Sequence, residues 1–155
     1  MIPFPNPLHP AVVHFPIALF LVGAGLSVFA VVFRRCALSA ALMLVLGAIG
    51  AVVAVQTGEQ EEHRLPKTTG ALHEAFEDHE HAGKRARNFG LVAAGLAVMS
   101  VLAARWRVVA RILAAATAVV ALMTAWNVAQ AGHYGGVLVY EHGLGIREKS
   151  APKVP

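Results

Sequence analysis

Eight histidines give this 155-residue chain its widest chemical reach: His9, His14, His63, His73, His79, His81, His133 and His142. Imidazole is the commonest metal ligand in proteins and a frequent axial ligand of haem iron. The other ligating side chains are sparse. Cys36 is the only cysteine, so an intrachain disulfide and a cysteine-based metal knuckle are both excluded. His73, Glu77 and His81 recur at i, i+4 and i+8, and Asp78 with His81 forms an acid-x-x-His pair. Carboxylate-bridged di-metal bundles use such pairs, but with further acids from partner helices. No apolar segment supplies one here, and Glu59 and Glu62 would have to fold in from a loop. There is no nucleophile elbow, phosphate loop or His-Glu-x-x-His zinc signature.

The histidines flank long apolar runs. Hydrophobic residues make up 57% of the chain and charged residues 14%. A soluble domain carries about 25% charged residues, so this chain has too little charge to face water. The +4 charge is split among short connections and forms no basic stripe, which argues against nucleic acid. A membrane-spanning helix needs about 20 apolar residues. Four segments qualify: 11–33, 37–55, a helix over 72–104 with its membrane part at 89–104, and 112–130. None of the four membrane parts holds a charge, which at mid-span would cost roughly 2.5–3.5 kcal/mol. The predicted fold is therefore a single all-α domain, a four-helix transmembrane bundle with a His-rich outer-face loop. Gly47 with Ala51, Gly50 with Ala54 and Gly90 with Ala94 have the spacing that lets membrane helices approach closely.

Charge sorts by side. Arg34 and Arg35 fill one connection, and Arg105, Arg107 and Arg111 fill the other; all nine acids lie on the opposite side. The positive-inside rule puts the arginine connections in the cytoplasm. Both termini and the segment 56–88 then face outward, with all eight histidines. The N-terminus has no basic residue ahead of its apolar run, so that run reads as a retained span and not as a cleaved signal.

Three histidines stand out. His79 heads a row of small residues, Gly83, Ala86, Gly90, Ala94 and Ala97, on one helical face. Such a face suits a close helix neighbour or a flat porphyrin. His81 points about 200° round from His79 and shares its face with Arg85 and Asn88. His14 is in line with Ala18, Leu21 and Gly25. Pro16 either occupies the first turn of span one or kinks a helix begun at Pro10. After span four, Gly132 and Gly135-Gly136 are expected to end the helix. Val137–Tyr140 would then lie along the interface or fold back, and the nearby glycines would bring His142 inward.

These stretches carry a resemblance. Leu8-His9-Pro10 followed by Val13-His14-Phe15-Pro16-Ile17-Ala18-Leu19 resembles the opening of a bacterial family of four-span membrane proteins, catalogued only as a domain of unknown function. Thr57-Gly58, His79-Glu80 and Gly135-Gly136-Val137-Leu138-Val139-Tyr140-Glu141-His142-Gly143 match its other marks, so the likeness runs from about Leu8 to Ile146. It implies a small bacterial inner-membrane protein, with both termini periplasmic under the charge rule. Members that accompany c-type cytochrome modules imply redox work. His14, His79 and His142 match the family's motif positions.

The first functional expectation is a haem b protein for electron transfer at the periplasmic face. His14 and His79 would be its axial ligands, His142 a further partner, and Arg85, Arg87 or Lys67 the partners of the propionates. A quinol or a c-type cytochrome would exchange electrons with it. The alternatives are copper or zinc held by His14, His79 and His142, and a cofactor-free structural subunit in a membrane complex or oligomer. An enzyme with chemistry of its own ranks below these.

Overall fold

The computed structural model describes residues 9–62 and 69–143, apart from the side chains of 61 and 62. It is all helix: α1 His9–Val12, α2 His14–Val32, α3 Ala37–Glu62, α4 Ala71–Leu102 and α5 Arg107–Tyr140. Among the described residues, four helical stretches are long and apolar enough to cross a membrane: His9–Val32, Arg34–Gln60, Ala71–Arg105 and Arg107–Tyr140. α2 packs on α3 and α5, and α4 on α3 and α5, closing a four-helix ring; α1 leans on α3. Short 3-10 turns, Arg34–Cys36 and Ala103–Arg105, reverse the chain at one end, which therefore collects the arginines. The histidines of the described residues gather at the other end.

The break between α1 and α2 follows from Pro16. It has no N–H to give to the carbonyl of Val12, so the ladder is interrupted and the chain turns at Val13. α2 then begins at His14 with Pro16 in its first turn.

The interior is built from small residues. Ala24, Ala48, Ala51, Ala86, Ala93, Ala94, Ala97 and Ala121 are buried, while Leu42, Ile49, Leu91, Val119 and Trp126 point outward. That inverts a soluble core, as a lipid-facing bundle requires. With no hydrophobic drive between helices in lipid, close packing has to hold them. One large side chain fills the middle: Phe20 is 1% exposed and lies against Gly47 and Gly90. Buried hydroxyls mostly return to their own helix, Ser27 to Gly23 O, Thr117 to Leu113 O and Thr124 to Val120 O. Ser100 instead donates across to Ala110 O on α5, at 2.9 Å.

Two expectations are corrected at the histidine end. The loop between spans two and three is shorter than expected, since α3 runs past residue 55 to Glu62, while α4 starts at Ala71, next to the start expected for the helix over 72–104. Nor do Gly132, Gly135 and Gly136 stop α5; the helix passes through them, and Val137–Tyr140 is its last turn. Packing of α5 on α4 outweighs the roughly 1 kcal/mol that each helical glycine costs. The glycine that ends the helix is Gly143, at φ +68°, with its N–H on Val139 O.

Candidate functional site

At the histidine end two imidazoles meet. His9, in α1, turns its ring onto α3. Its Nδ1 donates to Ala54 O at 2.8 Å, with Thr57 Oγ1 3.4 Å away. The Thr57 hydroxyl donates to the same carbonyl at 2.9 Å. Gly58 makes the fit possible: a Cβ there would stand 3.1 Å from His9 Cε1 and 3.2 Å from Nδ1.

His79 does the same from α4. Its Nδ1 donates to Ala131 O on α5 at 2.8 Å. Here Gly135 gives the room, since its Cβ would lie 3.2 Å from His79 Cε1 and 3.3 Å from Nδ1. A backbone carbonyl can only accept, so each Nδ1 carries a proton, and Nε2 is the nitrogen of each ring that can offer a lone pair. The ring centres are 6.1 Å apart and the planes stand at 89°. Fixing the tautomer through Nδ1 in this way is how metal-binding histidines are commonly oriented.

Beside the pair, Lys84 on α4 joins two carboxylates. Its Nζ lies 3.3 Å from Glu59 Oε1 on α3 and forms a short hydrogen bond with Glu80 one turn back. Glu59 follows Gly58, which lines the His9 ring, and Glu80 follows His79.

The residues expected to form the site are therefore only partly assembled. His79 is half-buried and central, but its neighbour is His9 and not His14. The His14 ring is exposed and turned back along its own segment, with Nδ1 on Pro10 O at 2.7 Å. His142 is exposed in the turn after α5, because the helix carries past the glycines meant to bend it inward. Arg85 is exposed, and Arg87 donates through Nε and Nη2 to Asn88 Oδ1, both at 3.0 Å. His81 is exposed, on the face expected for it. His73 pairs with Glu77 at 3.5 Å, and exposed His133 tilts against Tyr134. His63 and Lys67 lie outside the described residues. Among the described residues, no group of three or more His, Cys, Asp or Glu is clustered for a metal ion.

His9, Thr57, Gly58 and Lys84 were not legible as site members. His9 was overshadowed by His14 in the longer motif. The one signal was that Leu8-His9-Pro10, Thr57-Gly58, His79-Glu80 and Gly135-Gly136 all carried the family resemblance; His9, Gly58, His79 and Gly135 now meet in space. A cavity of about 10 Å³, room for one water, lies toward the arginine end between Ser27, Ala30, Ala97, Ser100, Ala114 and Thr117.

A ring of four apolar helices with an anchored histidine pair at one end defines a four-helix membrane protein with a polar, imidazole-lined cap. The chain belongs to the family described as "Predicted membrane protein (DUF2231)", whose model matches residues 5–148. No curated protein and no solved structure matches it.

Proposed function

We propose that this protein holds a metal ion between His9 and His79, at the outer end of a bundle in a bacterial inner membrane. The observation that carries this is the pair itself: two imidazoles from separate helices, each tied by Nδ1 to a backbone carbonyl, with ring centres 6.1 Å apart. With metal–nitrogen bonds of about 2.0 Å and a ring nitrogen about 1.1 Å from its ring centre, two imidazoles gripping one ion from opposite sides have centres about 6 Å apart. His9 has interactions beyond those named, so the ion must displace any group that holds its Nε2.

Haem b is the weaker form of this reading. A porphyrin needs a slot several side chains wide, whereas both rings already rest on glycines of the neighbouring helices. The visible spectrum of detergent-purified protein, prepared with haem supplied, separates the two: a Soret band dependent on His79 would replace the bare ion by haem.

Metal content measured after equilibration and desalting tests the site. His79→Asn is the informative variant, because the asparagine amide can still donate to Ala131 O but offers no nitrogen at the Nε2 position. Its affinity is expected to fall at least ~100-fold, more than the 10–100-fold typical of removing a group behind a ligand. His14→Ala should bind as wild type does. Equal binding by wild type and His79→Asn would refute the site.

Orientation rests on Arg34, Arg35, Arg105, Arg107 and Arg111 gathering at one end, which the positive-inside rule assigns to the cytoplasm. A phosphatase reporter fused after Pro155 should be active, and a cytoplasm-only fluorescent reporter there dark. The reverse pattern would turn the site to the inside.

A further inference from the structure

We infer that the turn between α4 and α5 binds the headgroup of an anionic phospholipid through Arg105, Arg107 and Arg111, with Trp106 seating the first of them. The inference concerns the opposite end of the bundle from the histidines and does not rest on the metal reading.

The positive-inside rule asks only for an excess of cations on one side. This turn goes further, because its arginines stand where they cost the helix stability. Arg107 opens α5, and Arg111 follows one turn later on the same face. Cations at a helix N-terminus oppose its dipole, and like charges at i and i+4 repel. The first turn of α5 holds no acid to offset them. Among the described residues, none of the three arginines pairs with a carboxylate. An anion seated beside them removes both penalties.

Arg105 is held ready for such an anion. Its guanidinium carbon lies 3.9 Å from the centre of the Trp106 ring, a cation–π stack. Stacking occupies one flat face of the guanidinium and leaves its N–H edge open. That edge matches two phosphate oxygens at once. The turn between α2 and α3 is looser: Arg35 lies 5.7 Å from the Phe33 ring, with Arg34 as its one basic neighbour there.

The surroundings select the source of the phosphate. Leu102, Val108, Val109 and Ile112 are exposed beside the arginines. Trp106 is exposed as well, at the level where tryptophan sits in membrane interfaces. A soluble phosphate would satisfy the arginines and leave these apolar side chains uncovered. A phospholipid covers both, with its phosphate on the arginines and its acyl chains along the apolar face. Charge then chooses among phospholipids. A zwitterionic headgroup brings an ammonium into a turn with three cations and no acid, and an anionic headgroup brings none.

The two tryptophans of the chain make the test internal. Trp126 lies about 30 Å along α5 from Trp106, near the far edge of the hydrocarbon. At that end Lys84 and Arg85 are mixed with Glu59, Glu77 and Glu80. Full-length protein carrying Trp126→Phe is reconstituted into phosphatidylcholine vesicles containing a minority of phosphatidylglycerol. Bromine is placed on the acyl chains of one lipid or the other, so quenching of Trp106 counts its lipid neighbours. Protein carrying Trp106→Phe gives the same count for Trp126. Both leaflets contain both lipids, so the orientation of the protein does not matter. Phosphatidylglycerol should be preferred at Trp106 by about fivefold or more, the effect of one basic residue at an anionic surface, with little preference at Trp126. Arg105→Gln, Arg107→Gln and Arg111→Gln together should abolish the preference. Arg105→Lys, Arg107→Lys and Arg111→Lys together keep the charge and should retain part of it; a loss equal to that of the glutamine variant would mark the arginines as structural and overturn the site. No preference at Trp106, or an equal one at both tryptophans, would also overturn it. Excess inorganic phosphate at constant ionic strength should leave the preference in place, and its disappearance would assign the arginines to a soluble anion instead.

Discussion

Phe20→Ala should destabilise the bundle by about 3–5 kcal/mol and Gly90→Ala by about 1–3 kcal/mol, yet the double variant should cost clearly less than the sum. Phe20 is the largest side chain in the interior and is 1% exposed. It reaches from α2 across to both neighbouring glycines. A Cβ on Gly90 would stand 2.2 Å from Phe20 Cζ, and one on Gly47 2.9 Å from Cδ1. Neither contact is tolerable, so the ring or a helix must move. Helix contact in lipid depends on dispersion between fitted surfaces, and a displaced ring forfeits it over three helices at once. Removing the ring opens the space that the Gly90 methyl needs, which couples the two sites. Unfolding in detergent followed by circular dichroism, with both single variants and the double, measures the coupling. Strict additivity would show that the ring does not fill the gap between α2 and α4.

Gly58→Val should cut metal affinity by about 10–100-fold with less loss of stability than Phe20→Ala. A Cβ at 58 would already press on His9 at 3.1 Å. Valine adds two methyl groups, pushes the ring off Ala54 O and frees the tautomer that bond holds. Gly135→Val acts on His79 in the same way. Gly25 and Gly83 are the controls. Nothing lies within 4 Å of a Cβ at either, so alanine there should bind metal normally and gain about 0.5–1 kcal/mol of helix stability. Should Gly58→Val bind as tightly as Gly83→Ala, the seating of His9 would be irrelevant to the site.

The contrast among these glycines separates what could be read from the sequence from what could not. Uncharged runs of membrane length announce the four helices, because lipid punishes any unpaired charge wherever it falls. The face of His79 was also legible, since helical periodicity puts Ala86, Gly90, Ala94 and Ala97 beneath it, and all four are buried. The partner was not. Gly25 and Gly83 looked like room for a cofactor and face open space, while Gly58 and Gly135 are the ones that receive a ring. Spacing along one helix cannot tell these apart, because the neighbour belongs to another helix. The end of α5 failed for a related reason. Local propensity marks Gly132 and Gly135-Gly136 as stops, but contact with α4 carries the helix on to Tyr140. His14 lost its place to His9 through the turn at Val13, a backbone event four residues after His9 and not visible in the spacing of the two histidines.

The 32 residues of α4 make a rod of about 48 Å, against a hydrocarbon layer of about 30 Å. His79 stands 23 residues before Leu102, about 34 Å along that rod. With the arginine turn seated at one headgroup layer, the pair lies just beyond the opposite edge of the oil, where the ion proposed above would reach it from water without crossing the bilayer. That position makes bilayer thickness a control on the site. Longer acyl chains would submerge the imidazoles and raise the cost of any charge placed between them, and shorter chains would lift them into the headgroups.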